Sequence, residues 1–152
     1  GIMLYVLRNE VLGAERFDRA LKEYVRRWAF KHPTPWDFFH TIENVAGEDL
    51  NWFWRSWALN TWKFDVAVKE VDPIKNGAMI TLQLLEKMPM PLTVKVVDVN
   101  GDEQLIKLPV EVWQRGDTWS FPVQTKAAVK EVIADPEKRL PDMNTGNNSW
   151  KK

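Results

Sequence analysis

The sequence predicts an α+β chain: a short α-helical subdomain over residues 1–61, an immunoglobulin-like antiparallel β-sandwich over 62–134, and an irregular tail over 135–152. Three observations carry this. Apolar residues recur at helical spacing up to about Asn60, and they alternate with polar residues from Trp62 onward. The second half is also cut at short intervals by turn sequences, among them Asn76-Gly77, Pro89-Met90-Pro91, Asn100-Gly101 and Arg115-Gly116-Asp117.

A first helix is expected over Ile2–Leu12, ending at Gly13, where a left-handed cap costs glycine little. In the second, Phe17, Ala20, Leu21, Tyr24, Val25 and Trp28 form one apolar stripe, while Arg16, Arg19, Lys22, Glu23, Arg26 and Arg27 stay outside it. His32-Pro33 ends it, because proline offers no N–H and restricts the residue before it. Thr34 then reads as an N-cap, with Pro35 at the first helical position and Asp37 placing negative charge near the positive end of a third helix. Gly47 stops that helix. Glu48 and Asp49 open a fourth, in which Leu50, Phe53, Trp54 and Trp57 share a face.

From Trp62 the period changes to two: Trp62, Phe64, Val66 and Val68 alternate with Lys63, Asp65, Ala67 and Lys69, as in a strand with one buried face. Further strands are predicted near residues 78–86, 92–99, 103–112, 118–123 and 127–134. Close spacing of short strands points to an antiparallel sandwich. The tail collects Pro136, Pro141, Asn144, Gly146, Asn147 and Asn148, loses periodicity, and is expected to run along the surface without regular structure.

Composition narrows the functions. Twenty-one basic residues balance twenty-one acidic ones, so no net field draws the chain to phosphate backbones or anionic lipid, and neither nucleic acid nor membrane is an expected partner. Cysteine is absent, which removes disulfides, thiolate zinc sites and cysteine nucleophiles.

Searching for chemistry yields little. A helical zinc site needs two histidines at i and i+4 with a glutamate, whereas His32 and His40 are the only histidines and flank a helix start. Ser56, Ser120 and Ser149 are the only serines, and none stands in a Gly-x-Ser-x-Gly turn. The pairs Glu48-Asp49 and Asp102-Glu103 read as solvated acids at a helix start and a hairpin tip. Arg115-Gly116-Asp117 reads as a hairpin turn between Trp113 and Trp119. Tryptophan, with nine copies, is the unusual feature. On one reading Trp54, Trp57 and Trp62 fill a seam between helices and sandwich, since each ring can bury about 150–250 Å². On the other, exposed rings stack on a carbohydrate or peptide ligand, and Trp36 and Trp52 are the candidates.

The residues Leu7-Arg8, Leu12-Gly13, Phe17, Tyr24, Trp28, Phe30-Lys31-His32-Pro33-Thr34, Asp37-Phe38-Phe39, Glu43, Gly47-Glu48-Asp49-Leu50 and Trp54 through Trp57 resemble the gluzincin aminopeptidases, in particular the bacterial aminopeptidase-N branch. Val132 to Pro136, Leu140-Pro141-Asp142 and Asn147-Asn148 resemble the closing segment of the same proteins. The resemblance implies that residues 1–61 complete the helical part of a thermolysin-like catalytic domain and that a small sandwich follows. It implies a parent that releases N-terminal amino acids from peptides, as a hydrolase of the metallopeptidase class. Such proteins hold zinc through His-Glu-x-x-His and a downstream glutamate, and a tyrosine stabilises the oxyanion. None of these maps onto this chain, Tyr5 included, so no catalytic residue, metal ligand or cofactor is assigned to it, and zinc is expected in the parent. The chain is thus expected to begin inside a longer protein whose N-terminal catalytic domain is its partner. Relatives of this type are often periplasmic or secreted. Met3, Tyr5, Val6 and Leu7 are expected to form a bared surface that drives self-association.

Overall fold

The computed structural model describes residues 2–57 and 62–152, and the chain divides into two compact units, Gly1–Thr61 and Trp62–Lys152. The boundary read from the sequence at Asn60-Thr61 lies outside the described residues. The fold is α+β, with four α-helices among the described residues of the first unit and two antiparallel sheets in the second.

Helix α1 covers Ile2–Val6 and passes directly into a π-helical turn over Leu7–Leu12, so the expected first helix is present but widens midway. The widening coincides with the Asn9 side-chain amide, which donates to the Tyr5 carbonyl and competes for a ladder acceptor. Gly13 ends it at φ 87° and ψ 149°, a combination that glycine alone adopts cheaply, rather than in the expected left-handed helical cap. Val6 and Leu7 are buried, contrary to the bared surface expected of them; Tyr5 is exposed and Met3 half-buried.

Helix α2, Ala14–Trp28, stops four residues before His32, because Phe30 takes a positive φ of 63°. Its apolar stripe is only partly used. Phe17 and Ala20 are buried, Tyr24 meets Phe38 edge-on at 5.0 Å, and the Trp28 indole donates to Thr41 Oγ1 at 3.3 Å. The other flank of the stripe, Leu21 and Val25, remains exposed, since α3 covers one side of α2 and not both.

Helix α3, Pro35–Ala46, begins at a complete capping box: the Thr34 hydroxyl accepts from Asp37 N and the Asp37 carboxylate accepts from Thr34 N at 2.7 Å. It ends at Gly47 in the left-handed region, φ 71° and ψ 31°. Helix α4, Asn51–Trp57, starts where the Asp49 carboxylate accepts from Asn51 N, and the Leu50 carbonyl accepts from Phe53 N and Trp54 N.

In the second unit, β1 (Val66–Ile74), β2 (Gly77–Leu84) and β5 (Thr118–Gln124) form one sheet in the order β1-β2-β5. The other sheet runs β4-β3-β6-β7, from β3 (Leu92–Asp98), β4 (Glu103–Leu108), β6 (Val129–Ala134) and β7 (Ser149–Lys151). Ala78, Ile80 and Leu82 of the first sheet and Leu92, Val94, Val96, Val132 and Ala134 of the second are buried, giving the alternation that one packed face requires. In β1 a bulge between Val68 and Glu70 adds one residue. Val66 and Val68 lie opposite Leu84 and Leu82, and after the bulge Val71 and Pro73 lie opposite Ile80 and Ala78, so the inward face is kept. At the β1–β2 turn, a Cβ on Gly77 would lie 1.8 Å from the Val123 carbonyl oxygen of β5; only glycine fits that approach.

Four expectations are corrected here. Strand β1 begins at Val66, because the preceding residues bond elsewhere: Leu85 N to Asp65 O, Met88 N to Lys63 O and Met143 N to Phe64 O. The strand expected over 103–112 ends at Leu108, since Pro109 cannot donate to the ladder, and Val110–Trp113 form a 3₁₀ turn whose Trp113 indole donates to the Met90 carbonyl at 3.0 Å. Arg115-Gly116-Asp117 therefore crosses between sheets and is no hairpin. Finally, the tail over 135–152 is not irregular throughout. It holds a 3₁₀ turn at Thr145–Asn147 and the strand β7, because buried Asn148 and the paired edge of β6 give its backbone partners that periodicity does not reveal.

Candidate functional site

The helical unit is built around aromatic rings. Phe39 stacks on Trp54 at 4.4 Å, Trp54 meets Phe53 edge-on at 5.4 Å, and Phe53 stacks on Trp57 at 5.9 Å. The two tryptophans read as ligand-stacking candidates sit at opposite ends of this relay: Trp36 touches Phe39 at 5.7 Å and Trp52 touches Phe53 at 5.7 Å. Trp36 is 53% exposed and Trp52 half-buried, and three intervening rings separate them. They are brought onto one aromatic network, without ring contact between them among the described pairs.

Polar groups lock this cluster in place. Buried Trp54 donates its indole N–H to Glu43 Oε1 at 2.7 Å, tying α4 to α3. Arg16 of α2 donates to the Ala46 carbonyl and pairs with Glu48 at 2.7 Å, so the Glu48-Asp49 pair serves as an anchor and a helix start. Arg27, Trp28, Asp37, His40, Thr41 and Asn44 line an open cleft of about 410 Å³ between α2 and α3. Glu23 accepts from both Arg26 and Arg27, and the Arg26 and then Arg27 hydrogen bonds hold its carboxyl down to about 2.

The sandwich unit has its own polar centre, which the sequence reading missed. Asp142 accepts from Val66 N at 3.1 Å and Asn144 N at 2.8 Å, and Asn147 donates to Asp65 Oδ1 at 3.0 Å. Asn148 is buried among acceptors, and the amide orientation they require has its Nδ2 donating to Val66 O at 2.8 Å and Asp142 Oδ2 at 3.0 Å. Burial first, and then the Asp65 charge, raise the Asp142 carboxyl above its ordinary value against these hydrogen bonds. Buried Asp98 accepts from Asn100 N and Asp102 N to shape the β3–β4 turn, and buried Asp135 accepts from Arg139 N and Leu140 N. For Asp98 and Asp142 the available signal was an aspartate followed at short spacing by asparagine or glycine, the mark of side chains that bond nearby backbone; Asp135 carries no such mark.

The histidines do not assemble a metal site. His32 and His40 are both exposed, and among the described residues no three His, Asp or Glu side chains converge as a metal would need. The residues described do not fit the zinc that the sequence resemblance implies for the parent.

No protein-family model matches the chain, and no curated protein matches it. Among solved structures, it is similar to Legionella pneumophila aminopeptidase A, determined in complex with aspartic acid, with a TM-score of 0.69 and 17% sequence identity over 93% of this chain. That likeness is one of fold. The chain spans 16% of the length of that protein.

Proposed function

We propose that this chain is one part of a zinc-dependent metallo-aminopeptidase of the aminopeptidase-N type, supplying structural support to a catalytic part that carries the metal. What supports the reading is the fold likeness to an aminopeptidase that extends over 93% of this chain while taking up 16% of that enzyme. An aminopeptidase-related fold of this extent leaves most of such an enzyme outside these residues. Within the helical unit, acidic side chains are committed to structure: Glu43 to Trp54, Glu48 to Arg16, Asp37 to Thr34.

The test is direct. The 152-residue chain, incubated with zinc and aminoacyl-4-nitroanilides, is expected to release no nitroaniline and to retain no stoichiometric zinc after desalting. The reading frame in its source genome is expected to encode His-Glu-x-x-His upstream, and the longer product to be active. Stoichiometric zinc on this chain alone, or a complete reading frame without the histidine pair, overturns the proposal.

A further inference from the structure

Independent of the peptidase reading, the sandwich unit contains a cleft between its two open edges. β1 is the outer strand of one sheet and β7 the outer strand of the other. At one end, Asp142, Asn147 and Asn148 bind Asp65 and Val66 and hold these edges together. Further along, between residues 71–74 and Trp150 with Lys152, a cleft of about 430 Å³ opens, within the roughly 300–1,000 Å³ range of small-molecule sites.

One part of its wall is apolar for a reason of register. Val71 and Pro73 lie opposite buried Ile80 and Ala78, so they share the inward face, and Trp150 lies opposite buried Val132, which sets its ring on the inner face of the other sheet. Ile74 stands at the rim, 41% exposed. An added peptide strand is disfavoured at both edges: β7 is three residues long, and Pro73 has no N–H to offer on β1. The charge of its own lining side chains is one-sided, while Lys126 also borders an adjoining cleft lined by Asp98, Asp102 and Glu103. No lining residue is acidic, whereas Lys126 and Lys152 are, and remain, exposed cations with no ion pair among the described residues. Within the cleft itself, two lysine side chains therefore stand beside the apolar part of the wall.

We propose that this cleft binds a small apolar carboxylate, with the hydrocarbon body against Val71, Pro73 and Trp150 and the carboxylate at Lys126 and Lys152. A free fatty acid and the carboxyl end of a peptide share this chemistry. Titrating the ¹⁵N-labelled chain with octanoate, N-acetyl-leucine and neutral octanamide separates the cases, and the tighter acid identifies the source. Expected are saturable shifts centred on Ile74, Asn76, Lys126 and the Trp150 indole, with octanamide at least about fivefold weaker than the better acid, as the loss of two exposed ion pairs implies. Lys126→Glu should weaken acid binding about fivefold and leave octanamide unchanged. Because Trp150→Ala could unfold β7, Ile74→Ser provides the second variant and should weaken acid and amide alike. Equal affinity for octanoate and octanamide, shifts centred on the helical unit, or binding indifferent to Lys126→Glu would overturn the proposal.

Discussion

Single side chains decide how this protein answers to pH, and Asp142 shows it most directly. Burial and the neighbouring Asp65 charge raise its folded-state carboxyl above the unfolded value. Its neutral form is therefore favoured by folding. The associated stability is fully present below the ordinary aspartate value of about 4 and is lost as pH rises through the raised one. Asp142→Asn cannot ionise, and its single oxygen serves one of the two donors, Val66 N at Oδ2 or Asn144 N at Oδ1, so it also carries a pH-independent loss. Urea unfolding followed from about pH 4 to pH 7 should show the wild type losing stability relative to this variant as pH rises. A difference that stays flat across the range would remove Asp142 as its source. Glu23 has the opposite sign: lowered to about 2 by Arg26 and Arg27, it contributes above the ordinary glutamate value and loses that contribution as pH falls. The role of Asp142 was not visible in the sequence, because Asp65 and Val66 are distant from it in the chain, whereas Glu23 has Arg26 and Arg27 at i+3 and i+4 on a predicted helix, a pairing that spacing does indicate. The signal that was visible is local: several residues on which the resemblance rests have cap or clasp work, among them Thr34, Asp37, Glu43, Gly47, Glu48 and Asp142.

At the scale of the element, helix boundaries were the most legible feature. Thr34-Pro35-x-Asp37 announces α3 because the cap chemistry lies within four consecutive residues, and the structure adds only the reciprocal bond from Thr34 N to Asp37. Thr34→Ala should destabilise the helical unit by about 1 kcal/mol, measured by urea unfolding monitored at a helical far-ultraviolet band. No measurable loss would mean that α3 is held by its aromatic packing alone. Strands were less legible at their ends. The bulge in β1 shifts the alternation by one residue after Val68, so a strict period of two loses the strand where the protein continues it to Ile74. β7 could not be recognised by pattern, since three residues paired to β6 are too few to show a period.

Across the whole molecule, the unpaired surfaces are the informative ones. Ile2, Tyr5, Val25 and Trp36 are more than half exposed, and Phe30 is fully exposed on a backbone with positive φ, an arrangement that costs both hydration and conformational energy. We propose that these apolar groups promote self-association when the chain is alone. Sedimentation velocity should then show a weight average that rises with concentration, and the double variant Val25→Glu, Phe30→Ser should return it toward the monomer; a wild-type monomer at every concentration would dismiss the idea. By itself, the sequence determined the α+β class, the amphipathic second helix, the capped third helix and the succession of short strands, because each follows from periodicity or from cap and turn chemistry confined to a few neighbouring residues. Tertiary structure alone decided that half of the α2 stripe stays bare, that residues 135–152 close the sandwich, that Trp36 and Trp52 are divided by intervening rings, and that Trp150 faces a lysine-rimmed cleft. Those outcomes depend on which residues distant in the chain meet across a sheet or a helix pair, and pattern along the chain carries no record of such partners.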